Sequence, residues 1–228
     1  MSMNETQPVR VLVVDDDALI RAGLCTVLRS DNTLEIVGEA ENGYRGIELA
    51  QRLEPDVILM DIRMPQLDGL AALELLQNQG STSKVLVLTT FGEEEYIDRA
   101  LSAGASGFML KSSSPLELIG GVHAVAQGAA ALSPRIAQRV VERVRGIDTD
   151  ARSTAAALVA TLTGREREVL TLLGSGSSNA EIAAHMVITE ATVKGYVTAI
   201  LVKLNARNRV EAALIAFQAG LKANTEPR

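Results

Sequence analysis

Cysteine occurs once in these 228 residues, tryptophan is absent, and only 3% of the chain is aromatic. A single cysteine, Cys25, excludes an internal disulfide. Its apolar, helix-like surroundings predict a buried structural thiol. No apolar run approaches the roughly 20 residues that a membrane helix requires, so no membrane partner is expected. The opening stretch Met1 to Pro8 has neither a basic region nor an apolar core. A secretory signal is therefore not expected, and a cytoplasmic protein is. Histidine is also scarce. His123 and His185 have no ligand partner at useful spacing, which predicts ordinary structural roles. What remains is the composition of a globular protein, 47% hydrophobic and 22% charged, long enough for one large domain or two small ones.

Positive charge is short at the front of the chain. Residues 1–134 carry 9 Lys and Arg against 19 Asp and Glu. Residues 135–154 carry 5 against 3, and residues 155–228 carry 8 against 6. An acidic front and a mildly basic tail fit two modules with different partners.

The first 130 residues alternate short apolar runs with helix-like segments. The runs predict strands near 9–14, 34–39, 57–60, 85–89 and 107–110, buried on both faces. Helices are expected near 18–29, 43–53, 69–78, 94–103 and 115–127. The fold class is therefore α/β, a doubly wound, flavodoxin-like five-stranded parallel sheet with strand order 2-1-3-4-5. Gly104 is expected to end the fourth helix, and Pro115 to open the fifth.

In such a sheet the carboxyl ends of the strands share one edge, where ligands bind. Asp15 and Asp16 follow the first run, Asp61 the third, Thr89 closes the fourth and Lys111 follows the fifth. An acidic pocket with one lysine suits Mg²⁺ and a phosphoryl group. Asp16 and Asp61 can ligate the ion directly, and Asp15 directly or through water. Asp61 is the best nucleophile toward an activated phosphoryl group, with the cation and Lys111 offsetting the phosphoryl charge and Thr89 donating a hydrogen bond. Asp17 is expected to cap a helix, and the run Glu93 to Glu95 to be a solvated helix start. The bulk of Arg63 and Phe91 beside the acceptor predicts slow hydrolysis of an acyl phosphate.

The strings Val11-Leu12-Val13-Val14-Asp15-Asp16-Asp17, Leu59-Met60-Asp61-Ile62-Arg63-Met64-Pro65-Gln66-Leu67-Asp68-Gly69, Leu88-Thr89-Thr90-Phe91 and Gly104-Ala105-Ser106-Gly107-Phe108-Met109-Leu110-Lys111 resemble two-component receiver domains. The resemblance implies that Asp61 accepts phosphate from a sensor histidine kinase. It implies a Mg²⁺ site made by Asp15, Asp16, Asp61 and the carbonyl of Arg63. It also implies that Thr89 and Phe108 form a switch pair and that Lys111 contacts the phosphoryl group. Ser112 stands where many receivers have proline. A magnesium phosphohydrolase is the enzymatic alternative. Such enzymes commonly place a general acid two residues past the nucleophile, and that position is Arg63, so a non-enzymatic protein is expected.

Beyond Leu158 strand signals cease. Thr163-Gly164-Arg165-Glu166 and Ser178-Asn179-Ala180-Glu181 have capping-box spacing, Asn208 to Glu211 has related spacing, and Thr189 can cap a further helix. Four short helices are expected. Between the two modules, a linker is expected to be partly helical at its start and mobile later. Val193, Val197, Ile200, Leu201 and Leu204 form one apolar helix face, leaving Lys194 and Thr198 on the other.

The strings Leu162 to Leu170, Ser178 to Ala183 and Ile188 to Lys194 resemble the helix-turn-helix tail of the NarL/LuxR (FixJ) response regulators. The resemblance implies that Lys194, Gly195 and Thr198 face bases in promoter DNA and that Thr192 touches phosphate. Arg207 and Arg209 are expected to add backbone contacts. Departures from the family are Gly164 for proline, Gly195 within the reading helix, Tyr196 for histidine and the uncharged Thr198. They predict low affinity as a monomer. The stripe Val210, Ala213, Leu214 and Phe217 implies pairing of two copies on DNA. The expected organisation is a receiver over 8–128, a linker over 129–157 and an all-α, four-helix DNA-binding domain over 158–222. The expected partners are a sensor histidine kinase, promoter DNA, RNA polymerase and a second copy of the chain.

Overall fold

The structure, a computed structural model, describes residues 7–90, 95–133 and 149–221. The expectations about Phe91, the Glu93 and Glu94 part of the acidic run, and the 134–148 part of the linker lie outside them.

The apolar runs become β1 (Val9–Val14), β2 (Leu34–Ala40), β3 (Val57–Asp61), β4 (Lys84–Thr89) and β5 (Gly107–Leu110). Between and after them lie α1 (Ala18–Leu28), α2 (Gly43–Leu53), α3 (Gly69–Asn78), α4 (Glu95–Ser102) and α5 (Pro115–Ala126). The sheet order is β2-β1-β3-β4-β5-β6, with β6 the two residues Ala131–Leu132. The sheet therefore has six strands rather than the five expected; a two-residue strand is too short to leave an alternation in the sequence. The pairs β1–β2, β1–β3, β3–β4 and β4–β5 are parallel. Register aligns Val14 with Met60, Asp61 with Leu88 and Thr89 with Leu110, which brings the strand ends level at one edge.

Helices on both faces cover the sheet, so β3 is buried at every position and the apolar residues of β4 are buried with it. Cys25 lies in this core on α1, and burial pushes its thiol up to about 11. Asp17 caps α1, accepting from the amides of Leu19 and Ile20 at 2.8 and 3.1 Å. These two bonds hold its carboxyl below the usual range.

The chain divides after Ala126 into two compact units. The second contains α6 (Thr149–Ala160), α7 (Gly164–Gly174), α8 (Asn179–Met186), α9 (Glu190–Leu204) and α10 (Arg209–Gln218). All four expected caps are present. Thr163 and Ser178 form reciprocal capping boxes with Glu166 and Glu181, Thr189 accepts from Thr192, and Asn208 accepts from Glu211. The fifth helix, α6, has its first nine residues in the expected linker and its last three in the expected DNA-binding domain. Its alanine-rich second half places Ala155 and Val159 among the buried residues, and α6 packs on α10. That packing supplies the stability a short isolated helix lacks.

One backbone feature of this unit is costly. Val187, at the end of α8, has φ 55° and ψ 49°. A β-branched residue there is a steric outlier. Its side chain is 89% exposed, so burial does not offset the cost. Val187→Gly is expected to stabilise this domain by about 1 kcal/mol. Slower hydrogen exchange in the α8 and α9 amides checks it; unchanged or faster exchange refutes it.

Candidate functional site

Strand register alone brings Asp15, Asp61, Thr89 and Lys111 to one edge. The amide of Asp15 donates to the Ala40 carbonyl at 3.0 Å, and that of Lys111 to the Thr89 carbonyl at 2.8 Å. The ladder thus extends through both residues. Asp15 and Asp61 are buried, at 0% and 4% exposure. Lys111 reaches between them, its Nζ 2.7 Å from Asp15 Oδ2 and 2.9 Å from Asp61 Oδ2. Asp61 Oδ1 accepts from the amide of Ile62 at 2.8 Å, and Asp15 Oδ1 from that of Asp17 at 3.0 Å. Asp16 is exposed at the mouth.

The electrostatics follow from this packing. Burial raises the Asp61 carboxyl from 3.8 to about 6; Lys111 opposes the shift and Asp15 adds to it. Burial works against the charge on Lys111, but its pairing with Asp15 and Asp61 wins and raises its pKa. One ammonium serves two buried carboxylates. Asp15 Oδ2 makes no hydrogen bond of good geometry and meets Lys111 only as an ion pair. Oxygens of Asp15, Asp16 and Asp61 all lie within 4.8 Å of one another. Three hard oxygen donors at this separation, short of positive charge and open on one side, fit a divalent cation such as Mg²⁺ that keeps some of its water.

Thr89 is 2% exposed, and its hydroxyl donates to the Thr90 carbonyl at 3.2 Å. Phe108 is fully buried. Arg63 is exposed beside the pocket.

Sequence reasoning gave Gly69 no role of its own, although it lies in one of the resembling strings. A Cβ on Gly69 would sit 1.9 Å from the carbonyl oxygen of Asp61. The amide of Gly69 donates to the Ile62 carbonyl at 2.8 Å. The start of α3 thus lies against the backbone of the acidic residue itself. Gly69→Ala is expected to cost about 2 kcal/mol and to shift Asp61 away from Lys111. A receiver melting as the wild type does would refute this.

In the second unit, α9 buries Val193, Ile200 and Leu204 and exposes Thr192, Lys194, Gly195 and Thr198. Thr192 Oγ1 lies 2.9 Å from Thr189 Oγ1. Arg207 is exposed. Arg209 is a correction to the expected DNA contacts. It is 8% exposed, and its guanidinium donates to the carbonyls of Gly128 and Ser177 and to Asn179 Oδ1. A buried side chain committed to these three acceptors is not available to a phosphate.

Comparison with known proteins agrees with both halves. Residues 11–123 match the response regulator receiver domain family, and residues 160–216 match the bacterial regulatory proteins, luxR family. The chain is 36% identical over 216 residues to the nitrate/nitrite response regulator protein NarL of Escherichia coli (strain K12), covering 95% of this chain and 98% of that protein. It is 36% identical over 210 residues to the transcriptional regulatory protein LiaR of Bacillus subtilis (strain 168), covering 92% and 97%. Among solved structures it is similar to the response regulator ChrA of a heme-sensing two-component system. The identity there is 34% and the TM-score 0.53, over 95% of this chain and all of that one. A receiver fold with an acidic pocket, a LuxR-type helix-turn-helix and full-length relatives of this kind place the chain in the family of two-component response regulators that regulate transcription through a LuxR-type DNA-binding domain.

Proposed function

We propose that Asp61 is the phosphoryl acceptor and that its modification controls DNA binding by the C-terminal domain. The observation that carries this is the single Lys111 ammonium held 2.7 and 2.9 Å from two buried carboxylates, with a third carboxylate at the mouth. Asp15, Asp16 and Asp61, with the Arg63 carbonyl as a further oxygen, would hold Mg²⁺. The bound cation would neutralise phosphoryl oxygens. A carboxylate oxygen of Asp61 attacks phosphorus, a P–O bond forms, and the P–N bond to the imidazole of a sensor histidine kinase breaks, its electron pair returning to nitrogen. Lys111 then faces the phosphoryl oxygens. The Thr89 hydroxyl turns from the Thr90 carbonyl to one of them, which makes it the moving part of the switch.

We assign 8–128 to the receiver, 129–157 to the linker, whose end forms part of α6 and packs on α10, and 158–222 to DNA binding. The protein acts as a cytoplasmic regulator rather than an enzyme, with promoter DNA and RNA polymerase as its partners. Two copies pair through the outer face of α10, where Phe217 is 65% exposed.

Acetyl phosphate with Mg²⁺ is expected to give one retarded band on a phosphate-affinity gel and to tighten promoter binding. EDTA is expected to abolish both. A retarded band with unchanged DNA affinity would leave the acceptor in place and refute the coupling.

A further inference from the structure

The outward face of the reading helix α9 is built from methyl groups rather than from cations. Ala191, Gly195, Thr198 and Val202 follow one another at i, i+4, i+7 and i+11, which puts them on one helical stripe. The first three are exposed, and Val202 is 77% exposed. The Thr198 hydroxyl donates to the Lys194 carbonyl at 3.0 Å. Its one donor hydrogen is turned into the helix, which leaves an acceptor oxygen and the Cγ2 methyl to present. A Cβ on Gly195 would meet nothing within 4 Å, so no packing of the domain calls for glycine there. The bare backbone lets a partner surface approach the helix closely.

Charge on the helix is sparse. It has Glu190 in its first turn and two lysines, and Lys203 is bound to Glu166 at 2.7 Å, which leaves Lys194 as the cation beside the stripe. Such a face has little with which to bond base edges in the major groove. It matches the one apolar group that the groove displays, the C5 methyl of thymine, which alanine and threonine methyls contact directly.

We propose that this regulator selects its sites by thymine methyl groups lying against Ala191 and Thr198, with Lys194 reading the O6 and N7 of one neighbouring guanine. The inference rests on the DNA-binding reading given above and adds the class of sequence read. Each site then carries thymines beside one guanine, and its A·T positions are recognised by a methyl rather than by a hydrogen bond.

Deoxyuridine in place of thymidine removes that methyl and leaves base pairing intact. The full chain, treated with acetyl phosphate, is offered a pool of duplexes with a randomised core, synthesised once with thymidine and once with deoxyuridine. Retention of the thymidine pool is expected to exceed that of the deoxyuridine pool by about fourfold for each methyl contacted. Thr198→Val keeps the methyl and is expected to keep the preference. Thr198→Ser keeps only the hydroxyl and is expected to lose the Thr198 share of the preference, about fourfold, leaving that of Ala191. Thr198 is on the surface, so both variants fold.

Equal retention of the two pools by the wild type overturns the proposal while leaving DNA binding in place. A preference kept by Thr198→Ser and lost by Thr198→Val also overturns it, because the hydroxyl would then be the reader. Retention of neither pool overturns the DNA-binding reading itself.

Discussion

Asp61→Asn is expected to abolish phosphoryl acceptance and, in the unphosphorylated protein without divalent cation, to stabilise the receiver by about 2–3 kcal/mol at neutral pH. The two effects have one cause. Asp61 is 4% exposed and shares a single ammonium with Asp15. Burial raises its carboxyl from 3.8 to about 6. Between those values the folded state holds a proton that the unfolded state has released. Stability therefore falls as pH rises through this window. Below 3.8 both states are protonated and the penalty is absent; above about 6 it is fully present.

Asparagine keeps the shape and the acceptor oxygen for the Ile62 amide but carries no charge. Its melting temperature is expected to exceed that of the wild type by several degrees near pH 7 and to converge with it near pH 4. Added Mg²⁺ is expected to narrow the gap at neutral pH, because the cation offsets the charge that the wild type alone carries. Thermal unfolding of the receiver at both pH values, with Mg²⁺ or EDTA, checks all three points. An Asn variant melting below the wild type at neutral pH would mean that Lys111 fully compensates the buried pair. The reading of Asp61 as a residue kept at a cost to stability would then be wrong.

The parts of this site legible from sequence are those fixed by local pattern and by the topology rule for parallel sheets. Asp15, Asp61 and Lys111 each follow an apolar run, and strands buried on both faces can only be continuous apolar runs. Once the crossovers are right-handed, their ends must converge. The four caps of the C-terminal domain were legible for a similar reason, since a side-chain oxygen and an amide three residues on form a local unit. The close approach of Gly69 to Asp61 has no local signal, because it depends on where α3 begins in space. The helix α6 resembles linker in the sequence because its residues are small and partly polar, and its stability comes from α10. The burial of Arg209 was also hidden. An arginine just after an asparagine cap looks like a surface charge, and one of its acceptors, Gly128, is 81 residues away in sequence.

That arginine carries the second large expected effect. Arg209 donates to two backbone carbonyls, of Gly128 and Ser177, and to the side chain of Asn179 at 3.0 Å. Asn179 is itself buried, at 5% exposure. Burial lowers the guanidinium to about 10, with Glu181 opposing, so it remains charged at neutral pH. Gly128 is part of the same cluster. Its φ is +75°, and a Cβ there would sit 2.3 Å from Asn179 Nδ2.

Arg209→Ala leaves three acceptors without their donor and opens a cavity, and is expected to cost about 3–4 kcal/mol. Arg209→Lys is expected to recover little of this, since an ammonium on a single stem cannot direct donors to three fixed oxygens at once. Hydrogen exchange of the α7 to α10 amides in the full chain reads this domain alone. DNA binding provides the opposing test. An arginine that contacted phosphate would, when removed, lower the salt dependence of binding by about one counterion and leave the fold intact. A structural arginine instead lowers the fraction of folded, binding-competent protein and leaves the salt slope unchanged. A shallower slope with wild-type exchange would return Arg209 to the DNA interface and require this cluster to open when DNA binds.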